Sequence, residues 1–536
     1  MAMQGFLDWF LERFIDSPLL TLFFCVGVGS LFGRIRFGPV SFGPAGALFV
    51  ALALAAAEPD VSLPPIVTTL SLCLFCYVVG IAAGPSFINA LRTGWKPVVV
   101  SVVAIIAMAG AALGVGRALG FDIGTIAGAF SGAGTATAAL GATQQQLADG
   151  GTIPIEPAIG YAVAYPITVF LTILACSYLV GAGRRKPTAE DRETMPPIVV
   201  RTLELLGDPN LSVHGLESRY ETVVSRLTRD GRTVVAHEAE RLVAGDLLTI
   251  TAREDVADRL VNELGRAATH EPWLDRRSID FRRITLSNSD YIGRELHELR
   301  MEERFDAVVS RVRRGDVDII AGPDLILQSG DRLRVTAPRD RLAEITRDLG
   351  DSERAAGDIN AIGLGLGLTI GLLLAFVELP LPGGGTLVLG TATAPLIVGL
   401  VLGAFGRTGP VVWTLPGNVA NTLNQFALLV FLAAVGTGAG GGLVEALQAD
   451  GIALVILGGA ISAVHALICI VGLRSVLGYG TARALGGLTG SQLNPAPYAY
   501  AMNRVPDQRV ALGYAVLFPV SMIFKVLLAQ LLVVYF

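Results

Sequence analysis

Apolar stretches close to the length of a membrane crossing recur along this chain and constrain it more than any other feature. A helical crossing needs about 20 apolar residues. Candidates near the start are 18–31, 44–57, 66–88, 98–119 and 158–180; near the end they are 362–377, 387–405, 419–435, 452–473 and 511–536. Between the two sets lies a stretch of opposite character. Of the 41 Lys and Arg and 46 Asp and Glu residues, roughly 62 fall within 183–355. Overall only 16% of residues are charged and the mean hydropathy is +0.58, where soluble proteins carry about 25%. A soluble enzyme is excluded. The net charge of −5, with no long basic run, gives no case for nucleic acid.

Loop charges orient the spans, because Lys and Arg are retained on the cytoplasmic side. Arg34, Arg36, Arg92, Lys96 and the cluster Arg184-Arg185-Lys186 read as inside; Glu58, Asp60, Asp149 and Glu156 read as outside. This predicts an outside N-terminus and a cytoplasmic middle domain, provided the weakly apolar, Gly/Ala/Thr-rich stretch 121–147 enters and leaves on one side as a re-entrant hairpin. Arg117 then lies outside, against the rule. The second set reads in mirror sense: it emerges at Glu378, returns at Arg407, emerges at Glu445 and Asp450, and returns at Arg474. Its hairpin, 480–505, opens and closes inside, and the C-terminus ends outside. About five crossings per half is an odd number, as an inverted repeat requires. No basic start with a cleavage site marks a removable signal peptide; residues 1–16 read instead as an interfacial amphipathic helix with Phe6, Trp9, Phe10 and Phe14 on one side.

Internal matches support the symmetry. Ile159-Gly160-Tyr161-Ala162-Val163-Ala164-Tyr165-Pro166 matches Leu512-Gly513-Tyr514-Ala515-Val516-Leu517-Phe518-Pro519, and Ser131-Gly132-Ala133 matches Thr489-Gly490-Ser491. The middle repeats too, at an offset of roughly 85 residues: Val223-Val224-Ser225-Arg226 recurs at 308–311, Gly245-Asp246 at 330–331 and Leu264-Gly265 at 349–350. Each copy alternates apolar and polar residues and then enters an amphipathic helix. The expected fold class is an α-helical polytopic membrane protein. It has two inverted repeats of about five spans plus a re-entrant hairpin each (1–182 and 356–536), with two inserted cytoplasmic α+β modules (183–268 and 269–355).

No catalytic set is visible, so a non-enzyme without cofactor or metal is expected. Cys25, Cys73, Cys76, Cys176 and Cys469 lie in apolar stretches, and Cys73-x-x-Cys76 lacks a second ligand pair. His214, His237, His270 and His297 lack metal-ligand spacing. His465 stands alone in a span, where a packing residue competes with a proton carrier. Gly27-Val28-Gly29 and the glycines at 363–367 sit in spans without a preceding strand, so helix packing explains them better than a nucleotide fingerprint.

Lys525 differs. It is a charge near the middle of the final span, a position that costs about 2.5–3.5 kcal/mol on insertion scales. That cost is met if it faces a wet cavity or an anion; a snorkelling lysine or an internal ion pair is the alternative. Its repeat counterpart is Thr172. The hairpins supply further candidates for anion binding: Gly132, Gly134, Thr135 and Thr137 in one, Gly490, Ser491, Gln492 and Asn494 in the other. Broken helices present donors to anionic groups, and Pro495 and Pro497 break the second hairpin. Tight packing of small residues is the competing account for each glycine. Asn418, Asn421 and Gln425 are weaker candidates for the same cavity.

The chain resembles the aspartate–alanine exchanger family of bacterial transporters, and its modules resemble RCK C-terminal (TrkA-C) domains. The resemblance rests on Ala83-Gly84-Pro85-Ser86-Phe87, the Gly-Tyr-Ala-Val-Ala-Tyr-Pro segment at 160–166, Gly406-Arg407-Thr408-Gly409, and 513–519 with Lys525 following. It implies an inner-membrane antiporter, often a homodimer, exchanging small anionic substrates such as aspartate, alanine or succinate across the lipid bilayer, with a small regulatory ligand on the cytoplasmic modules. One departure stands out. Where the family reads Thr-Asn-Thr-Pro in the first hairpin, this chain has Thr135-Ala136-Thr137-Ala138. Rival readings are an RCK-regulated ion channel or cation transporter, which would need a carbonyl filter or carboxylate ring, and a membrane receptor sensing a nucleotide.

Overall fold

The computed structural model describes residues 13–37, 40–41, 43–148, 154–192, 197–268, 271, 274–314, 317–352, 360–382 and 386–536. Residues 1–12 of the expected amphipathic helix, Asp149 and His270 lie outside these. The chain forms two compact units: Met1–Thr194 with Leu364–Phe405 and Ala420–Phe536, and Met195–Gly363 with Gly406–Val419.

The first unit is helical. In chain order its longer helices are α1 (Pro18–Gly33), α2 (Ala45–Ala57), α3 (Pro65–Thr93), α4 (Trp95–Ala118), α5 (Ile123–Ala133), α6 (Thr137–Leu147), α7 (Glu156–Arg185), α8 (Ala361–Leu374), α9 (Gly390–Phe405), α10 (Gly417–Ile470), α11 (Thr481–Gln492), α12 (Pro495–Arg504) and α13 (Gln508–Tyr535). Among the described residues six segments are long and apolar enough to cross a membrane: Pro65–Pro85, Trp95–Ala118, Glu156–Arg185, Gly417–Ala439, Glu445–Val476 and Gln508–Tyr535. The other four expected spans form α1, α2, α8 and α9, of 13 to 16 residues. At 1.5 Å per residue the longest reaches only about 24 Å of a roughly 30 Å core. The expected spans 419–435 and 452–473 fall within Gly417–Ala439 and Glu445–Val476.

Both expected hairpins are pairs of short helices separated by a break. Asp122 caps α5, accepting from Thr125 N at 2.9 Å, as an N-cap carboxylate does. The helix then breaks at Thr135, which adopts φ +46°, and α6 follows. In the second pair the break falls at Leu493, with φ +64°, and the Asn494 side chain caps α12 by accepting from Ala496 N at 2.9 Å. Left-handed backbone at a threonine and a leucine costs roughly 1–2 kcal/mol each, so the surroundings must enforce both breaks.

Glycines set how closely each pair is packed. A Cβ on Gly128, Gly132 or Gly160 would overlap the backbone of Pro157, Tyr161 or Thr125, so α5 lies backbone to backbone on α7. In the second half Gly486, Gly490 and Gly513 meet Val510, Tyr514 and Arg483 in the same way, joining α11 to α13. Small residues four apart permit this approach where lipid supplies no hydrophobic drive.

Residues 183–192, grouped with the charged middle on composition, pack in the helical unit. The reason is electrostatic: Glu190 and Asp191 accept from Gly480 N at 2.6 Å and Thr481 N at 2.5 Å, capping α11, and Asp191 pairs with Arg474 at 3.3 Å.

The second unit contains two antiparallel sheets. The first is built from β1 (Ile198–Leu205), β2 (Val223–Arg229), β3 (Arg232–Val235), β4 (Leu247–Arg253) and β5 (Gly265–Ala267), in the order β3-β2-β4-β1-β5; the second from β6 (Ile279–Thr285), β7 (Val308–Arg314), β8 (Val317–Ile320) and β9 (Arg332–Pro338), in the order β8-β7-β9-β6. Each buries its own apolar cluster, around Leu227, Leu248 and Leu260 in one and Val312, Leu333 and Ile345 in the other. The Gly-Asp turns carry matching ion pairs. Asp246 binds Arg229 at 2.7 Å and Asp331 binds Arg314 at 2.7 Å, both carboxylates 1% exposed.

Candidate functional site

Lys525 is wholly buried in α13 and reaches the tips of both broken pairs. Its Nζ donates to Gly134 O at 2.8 Å and to Ser491 O at 2.7 Å. These carbonyls lie at the C-terminal ends of α5 and α11, where the helix dipole is negative and a cation is favoured. Gly134 leaves room for the lysine stem, whose Cδ lies 3.1 Å from where a Cβ would stand. The tips also bind each other: Thr135 Oγ1 donates to Gln492 O and Gln492 Nε2 to Ala133 O, both at 2.5 Å. A hydroxyl chain continues behind Lys525. Ser491 Oγ lies 2.7 Å from Ser101 Oγ and 2.9 Å from His465 Nε2, and Ser101 Oγ lies 2.8 Å from Ser521 Oγ. Among the described residues His465 Nδ1 has no hydrogen-bond partner.

On the other side of the breaks, where α6 and α12 begin, lies a cavity of about 760 Å³. Thr135, Thr137 and Pro495 contribute to its wall from the breaks, Tyr161, Tyr165, Tyr514 and Phe518 from α7 and α13, and Asn421, Asn424 and Gln425 from α10. Apolar wall comes from Phe75, Val79, Leu428 and Met522. Arg34, just beyond α1, is the one charged residue among those lining it. The cavity can therefore hold a small molecule with an apolar body and an anionic end.

Among the nine residues singled out in the sequence, Thr135 and Thr137 line this cavity; Lys525, Gly132, Gly134, Gly490, Ser491, Gln492 and Asn494 do not. Gly132 and Gly490 are spent on helix packing rather than on amides offered to a ligand. Thr137 Oγ1 lies 3.0 Å from Tyr161 OH. Asn421 and Gln425 do face the cavity; Asn418 is not part of its wall. Sequence reasoning passed over Tyr161, Tyr165, Tyr514, Asn424 and Arg34. The signal was present: the doubled Gly-Tyr-Ala-Val-x-Tyr/Phe-Pro motif puts two aromatics four apart, on one helix face. Their rings lie 5.6 Å apart for Tyr161 and Tyr165 and 5.3 Å for Tyr514 and Phe518.

As a metal candidate, Glu295, His297 and Asp324 bring ligand atoms within 4.8 Å of one another, but His297 and Asp324 are exposed and His297 already pairs with Glu295 at 3.3 Å. Surface pairing accounts for them.

Span-length apolar helices around a partly polar chamber, with two helices broken at its edge, define a membrane transport protein. The chain belongs to the aspartate–alanine exchanger family, described as a predicted permease membrane region, which matches residues 21–181 and 361–534. A TrkA-C domain matches residues 281–350, within the second sheet module. Similar proteins include an uncharacterized transporter of Geobacter sulfurreducens, 35% identical over 97% of this chain and 99% of its own length. Another is an uncharacterized transporter of Corynebacterium efficiens, 36% identical over 97% of this chain and 98% of its own. No solved structure matches.

Proposed function

We propose that this protein is a secondary antiporter that exchanges small carboxylates, aspartate and alanine or C4-dicarboxylates, by alternating access between two halves that are inverted repeats. The observation that carries this reading is the pair of helix breaks joined through Lys525, with the cavity on their amide side. A carboxylate in the cavity would meet the N-terminal ends of α6 and α12, the Thr135 and Thr137 hydroxyls, the α10 amide side chains and the Arg34 guanidinium. In this scheme Lys525 is a positioning residue: it neutralises two carbonyl ends and holds the tips together, so the anion rests on a frame that Lys525 keeps closed. A cation pathway is disfavoured because the charge on the cavity wall is that of Arg34.

The Lys and Arg distribution supports placement in the bacterial inner membrane with both termini outside and the sheet modules in the cytoplasm. Homodimer assembly and a regulatory ligand on the modules belong to the same proposal, on family resemblance.

Vesicles reconstituted with the protein and loaded with unlabelled C4 acid or small amino acid should take up the labelled counterpart. Absence of counterflow with every such pair overturns the reading. Lys525→Met removes two charge-assisted hydrogen bonds, each about 1.5–3 kcal/mol. Loss of one such bond's worth at the transition state lowers exchange roughly 100-fold. Wild-type rates in that variant, with the protein folded by size-exclusion chromatography, would remove the role of Lys525.

A further inference from the structure

The second unit holds a polar seam where apolar packing is expected. Between its two sheets Ser225, Arg226, Thr249, Thr251, Ser310 and Thr336 are each 5% exposed or less. They enclose a void of about 10 Å³, enough for a single water-sized occupant.

The charge around this void is lopsided. Arg334, also on its wall, stands directly across from Arg283 on one neighbouring strand and Arg311 on the other. Like charges directly opposite in a sheet are destabilising. Arg276 and Arg334 both lie over the Phe281 ring, at 4.2 and 4.1 Å. The nearby carboxylates also pair with other arginines, Asp280 with Arg276 at 3.0 Å, Asp318 with Arg311 at 3.4 Å and Asp275 with Arg277 at 2.8 Å, and Arg226 itself donates to Ile279 O at 3.2 Å. Burial, with the neighbouring arginines Arg311, Arg283, Arg226 and Arg276, pulls the Arg334 guanidinium down to about 10; burial also lowers Arg226, against the opposing pull of Asp280 and Asp275.

A second, independent observation lies in the same wall. Thr249 is 1% exposed and its Oγ1 has no hydrogen-bond partner. Ser225 and Ser310 spend their protons on the carbonyls of Thr249 and Arg334, so the Thr249 hydroxyl is a donor awaiting an acceptor. A water would satisfy the hydroxyl but leave the guanidinium excess untouched; an anion satisfies both.

We propose that the seam is a binding site for one small inorganic anion of halide size, held by the Arg226 and Arg334 guanidinium groups and the Thr249 hydroxyl. The anion bridges the sheets, so its binding ties the modules together. Purified full-length protein is melted at constant ionic strength while chloride or bromide replaces gluconate. The midpoint should rise saturably, by about 2 °C or more. Thr249→Val, which keeps every charge, should raise the half-saturating chloride about 10-fold, the effect of one hydrogen bond to a charged group; Arg226→Met should abolish the response. Identical midpoints in chloride and gluconate would mean that only water fills the seam and would overturn the proposal. An unchanged chloride response in Thr249→Val would overturn it as well, whether or not Arg226→Met folds. Transport is not part of the readout, so failure here is separate from failure of the antiporter reading.

Discussion

Glu217 is the carboxylate whose surroundings most shape how the sheet unit responds to acid. Burial pushes it up to about 7, with Glu238 and Glu302 adding to the shift and the hydrogen bond from Val224 N, at 2.8 Å, opposing it. A carboxyl raised in the folded state binds its proton more tightly there than in the unfolded chain. Stability therefore increases as pH falls from about 7 towards the ordinary value of 4.5, and is lower and flat above 7. Glu217→Gln should erase that part of the slope between pH 5 and 7.5, read as the difference in melting midpoint between the two buffers. An unaltered slope would place the proton elsewhere. Lys525 offers a contrast in legibility. A lone cation in an apolar run is visible without coordinates, but its partners are not, because Gly134 and Ser491 lie 391 and 34 residues away and offer carbonyls that every residue type has.

The broken helices show where sequence patterns carry and where they stop. Gly/Ala/Thr richness marked both hairpins, yet the breaks fall at Thr135 and Leu493, neither of which advertises left-handed backbone. The tips are held by contacts from other helices, which local sequence does not encode. The glycines nearby had two possible uses, and packing is the one realised at Gly132 and Gly490. A methyl at either position must push α5 off α7 or α11 off α13. Gly132→Ala and Gly490→Ala should each destabilise by about 1–3 kcal/mol, seen as lower melting midpoints and reduced yield of monodisperse protein. Gly27→Ala, whose site is open, is the control. If the hairpin variants match that control, the close packing is not holding the pairs together. The strand modules were more legible than the hairpins, since alternation and the Gly-Asp turns are local signals.

Across the whole chain the two halves run through one order of elements: two short helices, then span-length helix, then a broken pair, then a long final helix. Composition and internal matches were enough to read that order. The cavity was not legible as a unit, because its wall gathers residues from 30 to 522. Arg34 tests it at that level. Arg34→Gln should raise the half-saturating substrate concentration about 10-fold, as loss of a charge-assisted contact would, with the maximal rate little changed; the reverse pattern would remove Arg34 from substrate recognition. The two broken pairs also differ in how they are begun. The first is capped by its immediate neighbour Asp122, the second by Glu190 and Asp191, some 290 residues upstream. During synthesis the first pair can be capped as it leaves the ribosome, whereas the second is capped by acids that must already be waiting. A gene divided to express the halves separately would have to leave residues 189–192 on the first fragment, and the second would stay unfinished until the two met.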